Sequence, residues 1–174
     1  DAALALIDAA ANAGANAAKF QAGHADHVYD PTQYPAEHAS FKKYVEPVLG
    51  WLPELAKRCE ERGVDFGCSA FCMDALDAVD PYVKWHKVAS IESQWMEYVV
   101  AVGAKGKPML ISNGMQDTCG GCGKICDGDV VLHCVVAYPA TLDDTNLRAN
   151  PSQHPWGVSD HTPHPTIAPC TDVA

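Results

Sequence analysis

The sequence is short of basic residues and of long apolar stretches. Its 174 residues include 12 Lys and Arg against 22 Asp and Glu, which gives a formal net charge of −10. Scattered basic residues in an acidic chain exclude a nucleic-acid-binding surface, which needs clustered Lys and Arg. No apolar run approaches the roughly 20 residues that a membrane-spanning helix needs. No charged segment leads into an apolar one at the beginning of the chain, so no signal peptide is predicted.

Several common motifs are also missing. The sequence has no P-loop, no dinucleotide-binding glycine pattern, no nucleophile elbow and no zinc-protease motif. Its composition, with 48% hydrophobic residues, is that of a globular protein, and residues 1–174 are predicted to form a single domain. The eight cysteines occur without a secretory context, which favours reduced thiols in a cytoplasmic protein.

Apolar periodicity alternates between helix and strand along the chain. Helical spacing marks five segments, at residues 1–13, 52–59, 73–79, 95–102 and 166–174. Short apolar runs predict six strands, at residues 16–21, 64–69, 85–90, 108–112, 130–136 and 156–159. The polar stretch from residue 22 to about residue 40 is predicted to be a loop. Strands that alternate with helices form parallel sheets, and both a doubly wound sheet and a (β/α)₈ barrel fit this order.

Polar residues collect at the carboxyl ends of the predicted strands, the edge where both architectures bind ligands. Lys19 and Lys87 lie on otherwise apolar strands, where a cation costs free energy unless an anion pairs with it. Each lysine taken singly is also typical of an interface. Hydroxyl groups that can bind a phosphate or carboxylate follow the strands at Ser69, Ser90, Ser112 and Ser159. Together with the backbone N–H of Gly114, this set predicts a pocket for a small, multiply charged acid.

His161 follows the last predicted strand, in the sequence SDHT. A histidine in this position often serves only as a hydrogen-bonding residue. Its neighbours Asp160 and Thr162 also allow a metal-binding or acid–base role. The spacing alone leaves both interpretations open.

Six segments carry a family resemblance that covers nearly the whole chain. They are, in order, AAKFQ, FGCSAF, HKVASIE, LISNGM, LHCVVAYPA and GVSDHTPH. In this order and with these intervals, they resemble the barrel domain of the N-acetylneuraminate (sialic acid) synthase family. The resemblance implies a TIM (β/α)₈-type barrel that is incomplete here, with about six βα units and the first and last strands missing. It also implies an enzyme that condenses phosphoenolpyruvate with an N-acyl hexosamine aldehyde to form a nonulosonic acid.

The resemblance further implies a role for each polar residue. Lys19 and Lys87 would hold the carboxylate and the phosphate of phosphoenolpyruvate. The residues completing this cradle would be Ser69, Ser90, Ser112, Asn113, Gly114 and Ser159. The residues facing the amino sugar would be Gln21, Glu92 and Tyr138. His161 would bind a divalent metal ion, Mn²⁺ or Mg²⁺, and would join the two lysines as a catalytic residue.

The chain also departs from the family pattern. The family's acidic sugar-binding residue on the first strand and its second metal-binding His on the last strand have no counterpart here, and neither does its C-terminal antifreeze-like domain. We therefore expect the chain to be part of a longer protein that forms a homodimer. Val136 stands where many members have a polar residue, which puts one substrate contact in question.

Two alternative functions remain open at this point. The acceptor sugar could be the one used by relatives that make pseudaminate, legionaminate or a spore-coat sugar acid. The chain could instead be a truncated, non-catalytic barrel that binds a ligand or a partner chain.

One cysteine-rich segment lies outside the family pattern. Cys119, Cys122 and Cys126 have the spacing of half a zinc knuckle, but no fourth ligand is obvious nearby. The segment is therefore a candidate structural zinc site, a redox pair or a loop with free thiols. The remaining cysteines, Cys134 among them, are predicted to be small buried hydrophobic residues.

Overall fold

The computed structural model describes residues 2–115, 128–145 and 156–165. The chain divides into two compact units, with the boundary between Lys87 and Val88. The predicted cysteine-rich loop at residues 119–126 and the predicted helix at residues 166–174 lie outside the described residues. Within the described ranges, no helix is both long enough and apolar enough to span a membrane.

The first unit alternates helices with parallel strands. Its elements are α1 (Ala2–Asn12), β1 (Ala17–Ala22), α2 (Ala25–Val28), α3 (Pro35–Tyr44), α4 (Val48–Arg62), β2 (Asp65–Ala70), α5 (Met73–Val79), a 3₁₀ turn at Asp80–Tyr82 and β3 (His86–Val88), which ends at the boundary. Strand β2 lies between β1 and β3 and pairs with both in parallel. This order confirms the predicted βαβ pattern.

Helix α4 supplies much of the apolar core of this unit. Leu52, Leu55 and Cys59 are buried on one face of α4, at the helical spacing that the sequence predicts. That face packs against β1 and β2. The helix ends at Gly63, whose φ of 69° lets the chain turn while its N–H bonds to the carbonyl of Glu60.

The stretch from residue 22 to residue 40, predicted as a loop, instead contains α2 and most of α3. The loop prediction is therefore wrong. Pro35 is at the start of α3, where its missing N–H costs nothing. Phe41 of α3 is buried and stacks edge-to-face on Phe71, 5.7 Å between ring centroids. This tertiary contact anchors a helix whose own sequence is mostly polar.

The second unit contains three more parallel strands. Its elements are a 3₁₀ turn at Glu92–Gln94, α6 (Met96–Gly103), β4 (Met109–Ser112), β5 (Val130–Cys134) and β6 (Trp156–Ser159). Strand β5 pairs in parallel with β4 and with β6. Tyr98, Val99 and Val102 form the buried face of α6.

Two strands, β3 and β5, end earlier than predicted. After β3, the carbonyl of Ala89 accepts a hydrogen bond from the N–H of Ser93, so the chain turns before the predicted end at residue 90. After β5, the carbonyl of Val135 lies 2.7 Å from Nδ1 of His161. This backbone group therefore bonds a side chain instead of a neighbouring strand, and the chain leaves the sheet.

Gly67 allows an aromatic ring to lie across β2. A Cβ atom at this position would come within 2.2 Å of Cη2 of Trp85. The indole therefore occupies the space that any other residue's side chain would need.

We predict that Gly67→Ala destabilises the protein by about 1–3 kcal/mol, because the added methyl group must displace the Trp85 ring in a packed region. Chemical denaturation followed by circular dichroism measures the change. The matched control is Gly50→Ala in α4, where a Cβ meets no atom within 4 Å. Its free energy of unfolding should be unchanged or slightly higher. Equal effects of the two substitutions would contradict the prediction.

Candidate functional site

In the first unit, strand register places three of the predicted site residues side by side. Gln21 on β1 is the register partner of Ser69 on β2, and Ser69 is the partner of Lys87 on β3. Register partners in a parallel sheet project from the same face, with neighbouring strands about 4.8 Å apart. The three side chains therefore form a polar row near the carboxyl ends of the strands.

Lys19 lies on the same face as this row, two residues before Gln21 and opposite Gly67. Its side chain keeps solvent access, but the surrounding protein desolvates the ammonium group and lowers the pKa of Lys19. The neighbouring Cys68 thiol does not offset this charge, because burial raises the pKa of Cys68 to about 12. Within the described ranges, no carboxylate lies within ion-pair distance of Lys19.

Lys87 is the more enclosed of the two lysines, with 7% of its surface exposed. Ser69 beside it is 2% exposed. A buried ammonium group needs hydrogen-bonding or charged partners, because burial without them costs several kcal/mol. The first unit thus provides two cations, one hydroxyl and one amide on the same face of its sheet.

In the second unit, the ends of the strands bring together the remaining predicted residues. Ser112 on β4 is the register partner of Leu132 on β5, and the N–H of Asn113 donates to the Leu132 carbonyl at 3.1 Å. Cys134 on β5 is the partner of Ser159 on β6. Ser112 is buried, whereas Asn113 and Ser159 keep partial access to solvent.

Ser90 and Gly114 meet at the same end of this unit. The N–H of Gly114 lies 3.2 Å from Oγ of Ser90 and donates to it. A Cβ at Gly114 would lie 2.7 Å from both the carbonyl oxygen of Cys134 and Cγ2 of Val136. Glycine is therefore required here by close packing of the backbone. Its predicted place in an anion-binding cradle stays a prediction, since its N–H donates to Ser90 in this structure.

His161 is held by the segment that follows β5. Its Nδ1 lies 2.7 Å from the Val135 carbonyl, so Nδ1 carries the proton and donates it. This hydrogen bond leaves Nε2 with an available lone pair, the arrangement typical of a metal-binding histidine. The Tyr138 ring lies against the imidazole, with 4.1 Å between the ring centroids.

Tyr138 and Glu92 lie near each other in this unit. Partial burial raises the pKa of the Tyr138 phenol, and Cys134 and Glu92 add to the increase. Tyr138 is nonetheless 77% exposed, which makes it accessible to a ligand. Its hydroxyl stays protonated at neutral pH and can donate a hydrogen bond.

The described residues contain no complete metal-binding cluster of three or more ligands. No group of three or more His, Cys, Asp or Glu side chains in this part of the chain could enclose a metal ion. His161 fits the role of one ligand. Cys119, Cys122 and Cys126, the candidate zinc site, lie outside the described residues.

Two contributors to this site were not predicted from the sequence. Cys134, expected to be only a small buried residue, lies 3.9 Å from Nδ1 of His161. The second contributor is the backbone carbonyl of Val135. Strand periodicity could have placed Cys134 beside Ser159, but no sequence signal reveals a role for a backbone carbonyl.

The amino-acid sequence matches a known protein family. The sequence model described as NeuB family matches residues 6–173. The chain belongs to the NeuB family. Among curated NeuB-family relatives, the spore coat polysaccharide biosynthesis protein SpsE of Bacillus subtilis (strain 168) is 33% identical over 99% of this chain and 52% of that protein. The N,N'-diacetyllegionaminic acid synthase of Legionella pneumophila is 30% identical over 90% of this chain and 52% of that protein.

A solved structure supports the predicted fold class for this NeuB-family chain. The N-acetylneuraminic acid synthetase of Leptospira borgpetersenii serovar Hardjo-bovis, in complex with citrate, matches with a TM-score of 0.86 and 26% identity. The match covers 97% of this chain and 62% of that one. The predicted fold, a partial TIM-type barrel with six parallel strands, is confirmed. The chain spans about half the length of the curated relatives it matches.

We predict that Gly114→Ala distorts the second unit at the carboxyl ends of β4 and β5, since the methyl group would collide with the Cys134 carbonyl and with Val136. Overpacking of this kind costs about 1–3 kcal/mol. Denaturant titration measures the stability, and amide NMR shifts of residues 134–138 report the local distortion. Gly103→Ala is the control, because its Cβ would meet only the flexible end of Met109, at 3.8 Å. Unshifted amides in Gly114→Ala would contradict the prediction.

Proposed function

We propose that this chain is the barrel portion of an enzyme that condenses phosphoenolpyruvate with an N-acyl hexosamine aldehyde to form a nonulosonic acid. In this reaction C3 of phosphoenolpyruvate forms a bond to the aldehyde carbon, water adds at C2, and inorganic phosphate leaves as the C2–O bond breaks. The observation that carries the proposal is the row of Gln21, Ser69 and Lys87, with Lys19 on the same face. Membership of the NeuB family supports it.

Lys19 and Lys87 would offset the repulsion between the acidic chain and an anionic substrate. A chain with a net charge of −10 repels phosphoenolpyruvate, which carries a phosphate and a carboxylate. Lys19 and Lys87 provide local positive charge where the strand ends are crowded and solvent is partly excluded. Fixed cations and hydroxyl groups in such an environment bind an anion more strongly than they would in water.

The second unit carries polar groups of its own. Within it, Ser90, Ser112, Asn113, Gly114 and Ser159 would bind phosphate. Of the residues proposed to bind the acceptor sugar, Gln21 lies in the first unit, and Glu92 and Tyr138 lie in the second. The exposed, protonated Tyr138 hydroxyl is suited to donating to a sugar oxygen.

His161 would be one ligand of a divalent ion, Mn²⁺ or Mg²⁺. Its Nδ1–H donates to Val135 and its Nε2 lone pair is available, so the residue fits this role. Such an ion, when bound, supplies a Lewis acid for the aldehyde oxygen. The expected homodimer, a cytoplasmic location and the structural zinc site remain predictions.

More than one N-acyl hexosamine is a candidate for the acceptor sugar. The two relatives described above are named for legionaminic acid synthesis and for spore coat polysaccharide biosynthesis. The test is therefore release of inorganic phosphate from phosphoenolpyruvate and Mn²⁺ with a panel of N-acyl hexosamines, assayed on the full-length protein. Phosphate release that depends on one acceptor supports the proposal. Ligand binding without release of phosphate from phosphoenolpyruvate, whichever acceptor is supplied, would favour the non-catalytic alternative.

We predict that Lys87→Ala weakens phosphoenolpyruvate binding by about 2–5 kcal/mol, the range seen when one partner of an enclosed charge pair is removed. Isothermal titration calorimetry measures the affinity directly. Lys84→Ala is the matched control, because Lys84 is exposed and pairs with Asp65. The assignment fails if Lys87→Ala binds as tightly as the Lys84→Ala control.

The lowered pKa of Lys19 predicts an unusual alkaline limit for binding. The protonated ammonium attracts the anion, and a lowered pKa means that it loses its proton at a lower pH than an ordinary lysine does. Affinity for phosphoenolpyruvate should therefore fall as the pH rises through this pKa. Lys19→Arg, which stays charged throughout, should show no such fall across the same range. Identical pH profiles for the two proteins, measured by calorimetry, would refute the role of Lys19.

A further inference from the structure

One short segment supplies contacts on several sides of the His161 imidazole. Residues 134–140 supply the Val135 carbonyl to Nδ1, the Tyr138 ring against the imidazole and the Cys134 thiol near both ring nitrogens. The N–H of Ala140 also donates to the His161 carbonyl at 3.0 Å. The backbone and the side chain of His161 are thus tied to the same segment.

The distances from the Cys134 sulfur to the two ring nitrogens of His161 show how the thiol packs on the imidazole. Sγ lies 3.9 Å from Nδ1 and 4.0 Å from Nε2. The Nδ1–H bond and the Nε2 lone pair have different in-plane directions, so a sulfur atom at nearly equal distances from both nitrogens is aimed at neither. It packs instead against the ring, as polarizable sulfur does against aromatic groups.

Cys134 is itself rigidly placed. It is the last residue of β5, it is 6% exposed, and it is in register with Ser159, two residues before His161. The sheet therefore fixes the sulfur and the start of the His161 loop together. Rotation of the imidazole away from the Val135 carbonyl would break the contact with this fixed atom.

We propose that Cys134 is a positioning residue for His161. Its thiol holds the imidazole so that Nδ1–H stays on the Val135 carbonyl and Nε2 presents its lone pair. The use of that lone pair for a metal ion rests on the proposed function, but the positioning itself does not.

Substitution at Cys134 should release the ring. Alanine removes the sulfur and leaves the imidazole without that contact. Serine differs from cysteine only in having an oxygen in place of the sulfur. Because the Cβ–O bond is shorter than the Cβ–S bond and oxygen is smaller than sulfur, serine does not restore the contact with the ring. Both variants should therefore allow the imidazole to sample a second orientation and its second tautomer.

Long-range ¹H–¹⁵N NMR of the histidine rings tests the positioning directly. In the unaltered protein, His161 should show one protonated nitrogen, Nδ1, and one bare nitrogen, Nε2. In Cys134→Ala and Cys134→Ser, the two ¹⁵N shifts should move toward each other as the tautomers exchange.

Cys59→Ala is the matched control, because Cys59 is also a buried cysteine but belongs to α4. It should leave the His161 shifts unchanged. If alanine prevents folding, serine carries the test alone.

Mn²⁺ affinity provides a second measurement, made by electron paramagnetic resonance on the full-length protein. Loss of groups that orient a ligand typically weakens metal binding at least 10-fold, so we expect a decrease of roughly 10-fold in both variants. An unchanged tautomer in Cys134→Ala and Cys134→Ser overturns the inference. If the tautomer shifts but His161→Ala binds Mn²⁺ normally, the positioning stands and the metal role in the proposed function fails.

Discussion

The parallel register of neighbouring strands is the constraint on which both parts of the candidate site depend. Parallel pairing gives each strand the same direction, so every strand in a unit ends at the same edge. In the first unit this register aligns Gln21, Ser69 and Lys87 across three strands. In the second it places Cys134 opposite Ser159 and so brings His161 to the segment that holds it.

Charge explains why these strand ends differ from the rest of the surface. The chain is strongly acidic, yet the polar face of β1–β3 carries two lysines. Lys19 has a lowered pKa because protein atoms surround it, and Lys87 is buried. The two lysines give this face a local positive charge, opposite in sign to the net charge of the chain.

Glycine and backbone groups shape the site as much as charged side chains do. Gly114 leaves room for the Cys134 carbonyl and for Val136, while its own N–H donates to Ser90. The Val135 carbonyl selects the tautomer of His161. Backbone groups of this kind carry no residue-specific pattern, because every residue has them. That is why the sequence indicated His161 but not the groups that orient it.

The sequence by itself determined the alternation of strands and helices, the face of α4 that is buried, and the polar residues at strand ends, because these follow from local periodicity and from parallel topology. It also carried the family resemblance. It did not reveal α2 and α3, whose polar sequence resembles a loop. Helix α3 is anchored by Phe41, which packs on Phe71. Only the tertiary structure decided where β3 and β5 end, which tautomer His161 adopts and that Cys134 touches its ring. The end of β5, the tautomer and the thiol contact depend on His161, which is far from residues 134–135 in the chain, and local sequence patterns do not encode such contacts. The end of β3 depends on a backbone hydrogen bond from Ser93 to Ala89, which apolar periodicity does not reveal.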